Sequence, residues 1–368
     1  MSTTSRAPIR DVASPETASI AATGLQCPAP LPAQHCVVLG HGSGGKLSAQ
    51  LFRERFLPQF DNPILRQQGD AAVFTVSGAR LAMSTDTFVV QPLEFPGGNI
   101  GMLAVHGTLN DLAMMGARPR YLTTGFVIEE GLPMDVLDRV IASMAEAARS
   151  QGVAIVAGDT KVVERGKGDG LFINTAGVGI IESDFAPSAS QAMVGDAIIL
   201  SGPIGRHGMA IMSAREAIGF DTTITSDTAS LWPLVELLRG ATDGRVHVLR
   251  DPTRGGVASA LNEIAAASDV GMLLEEAAIP VPPNVLAACE MLGLDPMYVA
   301  NEGVLVAMVP RECADAAIAA LRSHPTGAEA TMIGRVVAEH PRLVAMRTHV
   351  GGTRVVDMLP GDQLPRIC

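Results

Sequence analysis

Aspartates recur in this sequence at or beside the ends of strand-like runs. Asp70 stands in GDAAVF, Asp86 in STDTF, Asp159 in GDTKVV and Asp251 in RDPTRGG, while Asp111 lies in the helix-like NDLAMMG. A single loop aspartate usually forms a turn, but several that follow strands can converge on one cleft. Carboxylate oxygens bind hard cations such as Mg²⁺, and a nucleoside triphosphate carries enough negative charge to need that ion. The pattern therefore favours a metal–nucleotide site over five unrelated turn residues.

A lysine and a glutamate lie close to such aspartates or to a buried strand. Lys161 follows Asp159-Thr160, where its ammonium could meet a phosphate or a developing negative charge. Glu302, in NEGVLV, stands between a polar loop and an apolar run, where burial raises the pKa of a carboxyl toward that of a general base. From the residues alone, an ordinary surface ion pair is the favoured interpretation of each.

A glycine-rich stretch, GHGSGGKL, nearly matches the phosphate-binding loop G-x-x-x-x-G-K-[ST] from Gly40 to Lys46. Leu47 fails the last position because it has no hydroxyl for Mg²⁺, and the doubly wound parallel organisation of such proteins is missing. A P-loop nucleotidase is therefore rejected. Glycines still allow the backbone to approach an anion closely, and a flexible loop without a ligand is an equally good interpretation.

The chain ends in LPRIC, so the thiol of Cys368 lies at its tip. A terminal residue contributes little to a core because chain ends fray, and an exposed thiol is open to oxidation. The stretch by itself favours a surface cysteine without a function. The cysteines are odd in number, with no C-x-x-C pair, which excludes a disulfide framework or a zinc site; they are Cys27, Cys36, Cys289, Cys313 and Cys368.

Composition limits the class of protein. The chain has 368 residues, of which 47% are hydrophobic, and a net charge of −11. The length suits two domains, and the acidic charge argues against a nucleic-acid partner. No apolar run approaches the roughly 20 residues that span a bilayer, and the N-terminus lacks a secretory signal. We therefore expect a cytoplasmic protein without a membrane partner.

Element patterns predict two mixed domains. GNIGMLAVHGTLNDLAMMGA has helical spacing and closes at Gly116, and LPMDVLDRVIASMAEAARSQG is an amphipathic helix between Pro133 and Gly152. CVVLGHGSGGK is predicted as a short strand that enters the glycine loop. Mixed helices and hairpin-like strands favour an α+β fold of two domains. We expect a flexible N-terminal extension over 1–35, domains over 36–187 and 188–345, and a mobile C-terminal tail over 346–368.

Seven stretches together resemble one family: GDAAVF, STDTFVV, FPGGNIGMLAVHGTLNDLAMMGA, GDTKVV, DPTRGGVA, NEGVLV and the terminal PRIC. It is the ATP-dependent carbamoyl dehydratase family of NiFe-hydrogenase maturation, HypE, within the wider PurM-like superfamily of aminoimidazole-ribotide-synthetase relatives. The resemblance extends from about His41 to Cys368. DPTRGG is shared across the superfamily, whereas GDTKVV together with PRIC is more specific. The N-terminal extension has no counterpart in this pattern.

The resemblance implies a homodimer of two-domain α+β subunits with ATP and Mg²⁺ held between the domains and near the dimer interface. By motif position it implies Asp86, Asp111 and Asp251 as Mg²⁺ ligands, with Asp70 and Asp159 as further candidates. Lys161 would stabilise negative charge, Glu302 would take a proton from nitrogen, and Cys368 would carry the substrate. The implied nucleotide-binding set is Asp70, Asp86, Gly97, Asn110, Asp111, Gly158, Asp159, Thr160, Asp251, Thr253 and Arg254.

The same resemblance implies a reaction and its partners. A carbamoyltransferase, HypF, would place a carbamoyl group on the thiol of Cys368, and ATP-dependent dehydration would turn this thiocarboxamide into a thiocyanate. The cyano group would pass to iron on the HypC–HypD scaffold. One alternative is a selenophosphate synthetase, although GHGSGGK has Lys46 with no cysteine beside it. The other is a carrier without catalytic activity.

Overall fold

The computed structural model describes residues 36–182, 184–215, 224–361, 364 and 366–368. The predicted N-terminal extension, with Cys27, lies outside the described residues. Within the described part, no helix combines the length and apolar character that crossing a bilayer requires.

The described chain begins with short helical pieces: a 3₁₀ turn at Leu39–Gly42, helix α1 at Lys46–Leu51, a π-helical turn at Phe52–Phe56, helix α2 at Leu57–Phe60 and a 3₁₀ turn at Leu65–Gln67. The strand predicted at the start of this region is wrong. Val37 is 79% exposed, and the N–H of Val38 donates to His41 Nδ1 at 2.9 Å. That hydrogen bond closes a local turn, whereas a strand would need hydrogen bonds to a neighbouring strand.

The first half of the chain forms a sheet with helices on one side. Its elements are β1 Ala72–Val76, β2 Ala79–Phe88, the small ribbon β3 Glu94–Phe95 and β4 Gly98–Asn99, α3 Ile100–Met114, β5 Arg118–Glu129, α4 Met134–Ser150, β6 Ala154–Val163 and β7 Leu171–Ile181. The strand order among the described residues is β1-β2-β7-β5-β6. Neighbouring strands are antiparallel except β5 and β6, which are parallel. In this strand order β6 forms one edge of the sheet.

The two predicted helices of this half are confirmed, and local chemistry explains their ends. The Asn99 side chain accepts hydrogen bonds from the N–H groups of Gly101 and Met102, which caps α3. Gly116 adopts a φ of +70° just beyond α3, a conformation that favours glycine. Pro133 precedes the first residue of α4, and Gly152, with a φ of +65°, follows its end.

The two faces of this sheet differ. Along β7 the odd-numbered residues are almost all buried, because α3 lies against that face, while the even-numbered residues stay partly or fully exposed. On the open face Met83 pairs with Val178, which pairs with Tyr121. The Met83 and Tyr121 side chains are about half exposed. The N-terminal sheet therefore has one apolar face that no described element covers.

The second half forms a second sheet. Its strands are β8 Ala197–Leu200, β9 Val248–Arg250, β10 Gly271–Glu275, β11 Val306–Val309, β12 Thr331–Val337, β13 Val344–Arg347 and β14 Thr353–Val355. Its helices are α5 Arg206–Arg215, α6 Trp232–Ala241, α7 Gly256–Ser268, α8 Pro283–Leu292 and α9 Ala314–Arg322. Among the described residues the strand order is β14-β13-β10-β12-β8-β11-β9.

This sheet is covered on both faces. Every residue of β8 and β11 is buried. Ile198 and Leu200 pack with residues of α7 on one face, while Ala197 and Ile199 pack with α6 and α9 on the other. Strands buried on both sides are apolar at every position. The sequence AIIL of β8 has that pattern.

The C-terminal segment is partly built into this fold. The expected tail boundary at residue 346 falls inside β13, and β14 adds a further strand within the expected tail. Leu364 and Ile367 are each 5% exposed and belong to the apolar core that includes α3. The structure thus shows the end of the chain packed against this core. The boundary predicted at residue 187 lies in the loop between β7 and β8 and stays a prediction.

Candidate active site

Three aspartates from distant parts of the sequence meet in the structure. Asp70 stands two residues before β1, Asp111 lies on α3, and Asp251 directly follows β9. One carboxylate oxygen from each lies within 4.8 Å of the others. Oxygen ligands at this spacing fit Mg²⁺ chemistry. The structure therefore brings Asp111 and Asp251 together with Asp70, which the resemblance implied only as a further candidate ligand. Asp86, which the resemblance implied as a ligand, is not one of these three.

Asp86 lies on β2 beside this acidic cluster of Asp70, Asp111 and Asp251. Its carboxyl shares hydrogen bonds with the side chains of Asp111 and Thr108. The hydroxyl of Ser84, two residues earlier on the same face of β2, lies 2.5 Å from Asp111 Oδ2. Asp86 thus contacts the cluster through Asp111.

Desolvation dominates the electrostatics of these carboxyls. Burial raises the pKa of Asp70 to about 8 and that of Asp251 to about 6. It also raises the pKa of Asp111 well above its usual range, and the neighbouring carboxylates raise that pKa further. The pKa of Asp86 is raised by burial as well. A cation placed among these groups would offset both the burial and the mutual repulsion.

One arginine already supplies part of that compensation. Arg250, the last residue of β9, places Nη1 2.6 Å from Asp70 Oδ1 and also bonds Glu263 on α7. Its positive charge lowers the pKa of Asp70 below the value that burial alone would give. Arg250 therefore fixes the position of Asp70 relative to the C-terminal sheet.

The chain terminus lies along residues that follow β2. A terminal carboxylate oxygen of Cys368 accepts a hydrogen bond from the N–H of Val89 at 3.0 Å, and the carbonyl oxygen of Arg366 accepts one from the N–H of Gln91 at 3.3 Å. Cys368 itself is half-buried. The last residue is thus held beside the strand that carries Asp86.

Cys368 lines an open cleft together with three residues of the glycine loop and two residues of the C-terminal half: Gly42, Ser43, Gly45, Arg254 and Tyr298. The Arg254 guanidinium donates to the carbonyl oxygen of Gly42 at 2.8 Å. The negative charge at Cys368 raises the pKa of Arg254, more than Asp86, Glu302 and Asp111 do. The charges of the terminal residue and of the acidic groups therefore all act on Arg254.

Glu302 is buried, with 3% of its surface exposed. Burial raises its pKa well above the ordinary glutamate range, and the charges of Asp251, Asp227 and Asp86 raise it further. Its backbone N–H donates to Asp227 Oδ1 at 3.2 Å, and burial raises the pKa of Asp227 to about 6. From the residues alone, a surface ion pair was the favoured interpretation of Glu302, and the structure instead places this side chain in the buried surroundings that the other interpretation needs.

Three other residues of the implied nucleotide-binding set contact protein backbone. The Asn110 amide donates to the carbonyl of Ala229 at 3.0 Å and accepts from the N–H of Leu231 at 2.8 Å, so it joins α3 to the start of α6. Gly97 has a φ of +99°, and an added Cβ would lie 2.9 Å from the nitrogen of Ser226. The N–H of Thr253 donates to the carbonyl of Asp251 at 3.0 Å, which shapes the turn before α7.

This chain is similar to known proteins over most of its length. The family described as "AIR synthase related protein, N-terminal domain" matches residues 68–181, and the corresponding C-terminal domain matches residues 193–345. Carbamoyl dehydratase HypE of Cupriavidus necator is 57% identical over 331 residues, which cover 90% of this chain and 94% of that protein. The chain belongs to the HypE family of carbamoyl dehydratases.

Solved structures agree with that membership. HypE in a HypE–HypF complex superposes with a TM-score of 0.80 at 47% identity, covering 84% of this chain and 99% of that one. HypE in complex with ATP superposes with a TM-score of 0.76 at 52% identity, covering 90% and all of that chain. As a HypE-family member the chain is an enzyme of hydrogenase maturation, and the predicted two-domain α+β, PurM-like fold is confirmed.

Four residues expected at the active site, three in the nucleotide-binding set and Lys161 as a catalytic residue, lie away from the acidic cluster on the edge strand β6: Gly158, Asp159, Thr160 and Lys161. Asp86 pairs across the sheet with Thr175, Thr175 with Thr124, and Thr124 with Gly158. Three strand spacings put Gly158 about 14 Å from Asp86. Lys161 Nζ lies 2.5 Å from Asp159 Oδ2, and both side chains are largely exposed.

Sequence reasoning missed several residues that position the site. Ser84, Arg250 and Asp227 contact the acidic groups directly, and His207 contacts the chain terminus. The only available signal for Arg250 and Ser84 was proximity to Asp251 and Asp86 in sequence. Asp227 and His207 come from parts of the chain that spacing does not connect to the motifs.

Proposed function

We propose that this HypE-family chain dehydrates a carbamoyl group carried on the thiol of Cys368, at the expense of ATP, and so supplies the cyanide ligand of the hydrogenase iron. The observation that carries the proposal is that Cys368 and Arg254 line the same cleft, and that the charges of Asp86, Glu302 and Asp111 also act on Arg254. A terminal thiol without a function would gain nothing from that cleft.

The chemistry balances without an oxidant or reductant. The carbamoyl oxygen attacks the γ-phosphorus of ATP, the bond to ADP breaks, and the oxygen becomes a phosphate ester. Removal of the nitrogen-bound protons and cleavage of the C–O bond release phosphate and leave S–C≡N. The amide oxygen thus departs as part of phosphate. Such phosphoryl transfer depends on positioning and charge neutralisation, which the charged groups of this cleft can supply.

Each residue has a role in that scheme. Asp70, Asp111 and Asp251 would hold Mg²⁺, with Asp86 beside them, and the ion when bound neutralises triphosphate charge. Arg254 would face the negative charge that develops next to the tail. Glu302, desolvated and therefore more basic, would accept a proton from the carbamoyl nitrogen.

In the proposed scheme, Lys161 and Asp159 act on the tail of a second copy of the chain. They lie on the same face of the sheet as Thr87, since Thr87, Asn174, Gly125 and Asp159 form one cross-strand row. That face also carries the half-exposed Met83 and Tyr121, and β6 is an unpaired edge of the described sheet. Open apolar faces of this kind mark interfaces. We infer a homodimer in which Lys161 of one subunit serves the tail of the other.

Partners follow from the same chemistry. The solved HypE–HypF complex supports HypF as the carbamoyl donor for this chain. The thiocyanate would pass to the HypC–HypD scaffold, which needs the tail to reach out of the cleft. The ATP complex of a relative 52% identical to this chain supports ATP as the phosphoryl donor.

Intact-mass and peptide mass spectrometry test the reaction. The protein is incubated with the HypF carbamoyl donor system and then with Mg-ATP. We expect a carbamoyl adduct on the C-terminal peptide that loses the mass of one water when ATP is added. An adduct that persists with no ATP turnover would mean a carrier, and the proposed dehydration would be wrong.

Mixing two inactive variants tests the shared site. Lys161→Ala and Cys368→Ala are each expected to abolish turnover as homodimers. After subunit exchange, a heterodimer contains one intact lysine facing one intact tail if the lysine acts across the interface. Regained turnover supports the dimer arrangement, and continued inactivity of confirmed heterodimers contradicts it.

A further inference from the structure

One buried histidine holds the backbone of the chain terminus. His207 lies on α5 with none of its surface exposed. Its Nε2 is 2.6 Å from the carbonyl oxygen of Ile367, and its Nδ1 is 2.8 Å from the hydroxyl of Ser226. A carbonyl oxygen can only accept, so the proton resides on Nε2 and Nδ1 accepts from Ser226. Burial lowers the pKa of His207 to about 4, so the ring is neutral at physiological pH.

The neighbouring carbonyls are held too. Arg215 Nη2, at the end of α5, donates to the carbonyl oxygens of Arg366 and Gln91, both at 2.8 Å. From the other side, the N–H of Val89 donates to the terminal carboxylate of Cys368, and the N–H of Gln91 donates to the carbonyl of Arg366. Thus the backbone oxygens of residues 366, 367 and 368 all accept hydrogen bonds from the folded domains. These contacts use backbone atoms of the tail.

We propose that His207 is a positioning residue, which fixes the Ile367 carbonyl so that the adjoining Cys368 thiol is presented to the cleft at Arg254. The contact lies one residue from the thiol, so a shift of the Ile367 carbonyl moves the reactive sulfur directly. The inference rests on the proposed function for what the thiol carries. The seating of the tail by His207 stands on the contacts alone.

Two substitutions separate the hydrogen bond from mere packing. In His207→Gln the side-chain amide nitrogen can occupy the place of Nε2 and still donate to Ile367. In His207→Asn the shorter amide lies nearer to Nδ1 and cannot reach that carbonyl. His207→Ala removes both contacts. His247→Ala is a matched control, because His247 makes a 2.8 Å side-chain bond to Asp196 at the far end of β9.

The amides of Val89 and Gln91 report on the seated tail, since they donate to the carboxylate of Cys368 and to the carbonyl of Arg366. Site-resolved hydrogen–deuterium exchange should show both amides exchanging about tenfold faster in His207→Asn and His207→Ala, the size expected for one lost hydrogen bond. His207→Gln should restore protection to within about twofold, and His247→Ala should leave both amides unchanged. Equal exchange in the Gln and Asn variants, or no change in either, overturns the proposal.

A milder variant and an activity measurement complete the test. Ser226→Ala keeps the ring and removes the partner of Nδ1, so it should raise exchange at Val89 and Gln91 by about threefold; no rise counts against the proposal even if the His207 variants fail to fold. Single-turnover dehydration should fall about tenfold in His207→Asn with unchanged ATP affinity. If the wild-type protein performs no dehydration, the proposed function fails while the exchange data still decide the seating.

Discussion

Arg254 and the terminal residue Cys368 line the same cleft, and the negative charge at Cys368 is the largest influence on the pKa of that arginine. Arg254 lies three residues after Asp251 in the sequence DPTRGG. One short turn therefore joins a member of the acidic cluster to the arginine that shares the cleft with the chain terminus. The same guanidinium donates to the carbonyl of Gly42, so the glycine loop fixes its direction.

Arg254→Gln should slow single-turnover dehydration of the carbamoylated tail by roughly 10²-fold, as expected when a donor aimed at developing charge is lost. Arg254→Lys keeps the charge but loses the planar fork that reaches Gly42, so we expect only partial recovery. Lys46→Gln is the control: Lys46 pairs with Asp357 at 2.6 Å at an exposed position. Equal rates for wild type and Arg254→Gln would contradict the assignment.

Parts of the site could be predicted from the sequence because each motif carries its own residue. Asp111, Asp251, Glu302 and Cys368 all border the observed cleft or cluster, as their motifs indicated. Spacing could not rank Asp70 above Asp86 as the third member of the cluster. That choice depends on the tertiary position of the residues before β1 relative to Arg250 on β9, which local patterns do not contain.

Stability should depend on pH in a direction that the acidic cluster sets. Burial raises the pKa of Asp70 from 3.8 to about 8, so the folded chain keeps a proton that the unfolded chain has lost. Between about pH 6.5 and 8, increasing pH then lowers the free energy of unfolding by at most about 1.4 kcal/mol per unit, and by less as the pH approaches 8. His207, whose pKa is lowered from 6.5 to about 4, opposes this decline, mainly below pH 6.5. Urea unfolding without Mg²⁺ measures this decline.

Magnesium should remove that decline, because the ion binds deprotonated carboxylates and gains affinity as pH rises. We therefore expect Mg²⁺ to stabilise the protein more at pH 8 than at pH 6.5. Asp70→Asn should make the decline without Mg²⁺ shallower, while the raised pKa values of Asp111 and Glu302 keep part of it. A free energy of unfolding that rises from pH 6.5 to 8 in the wild type would show that the sign is wrong.

The elements that the sequence predicted correctly are helices whose ends are determined by nearby residues. Asn99 and Gly116 bound α3, and Pro133 and Gly152 bound α4, as the motifs predicted. The strand expected at residues 36–38 failed because strand pairing is a long-range property, and Val38 instead bonds His41. The tail was expected to have little to bury, yet Ile367 packs in the N-terminal core and accepts from His207.

Gly44, in the loop that lines the cleft, should tolerate a side chain poorly. It adopts a φ of +75°, and an added Cβ would lie 2.9 Å from the backbone oxygen of Arg254. Gly44→Ala should therefore lower the free energy of unfolding by about 1–2 kcal/mol. Gly42→Ala is the matched control, since no atom lies within 4 Å of its added Cβ, and it should change the thermal midpoint little. Similar destabilisation by both variants would contradict the contact with Arg254.

Glu302→Gln tests the proton acceptor while preserving the shape of a buried side chain. The rate of single-turnover dehydration should fall on the order of 10²- to 10⁴-fold, the usual contribution of a general base. Stability should not fall, because the amide removes a carboxyl whose charged form burial opposes. Both are measured on the same preparation, by quenched-flow mass spectrometry and by thermal unfolding.

The companion variant is Asp227→Asn, whose side-chain oxygen can still accept from the N–H of Glu302. It removes a negative charge that raises the pKa of Glu302, so Glu302 becomes a weaker base with its position unchanged. We expect a modest loss of rate, up to about tenfold, with the acidic limb of the pH–rate profile displaced to lower pH. A Glu302→Gln protein that turns over within threefold of wild type would assign the proton to another group, and the Asp227→Asn profile would then match that of the wild type.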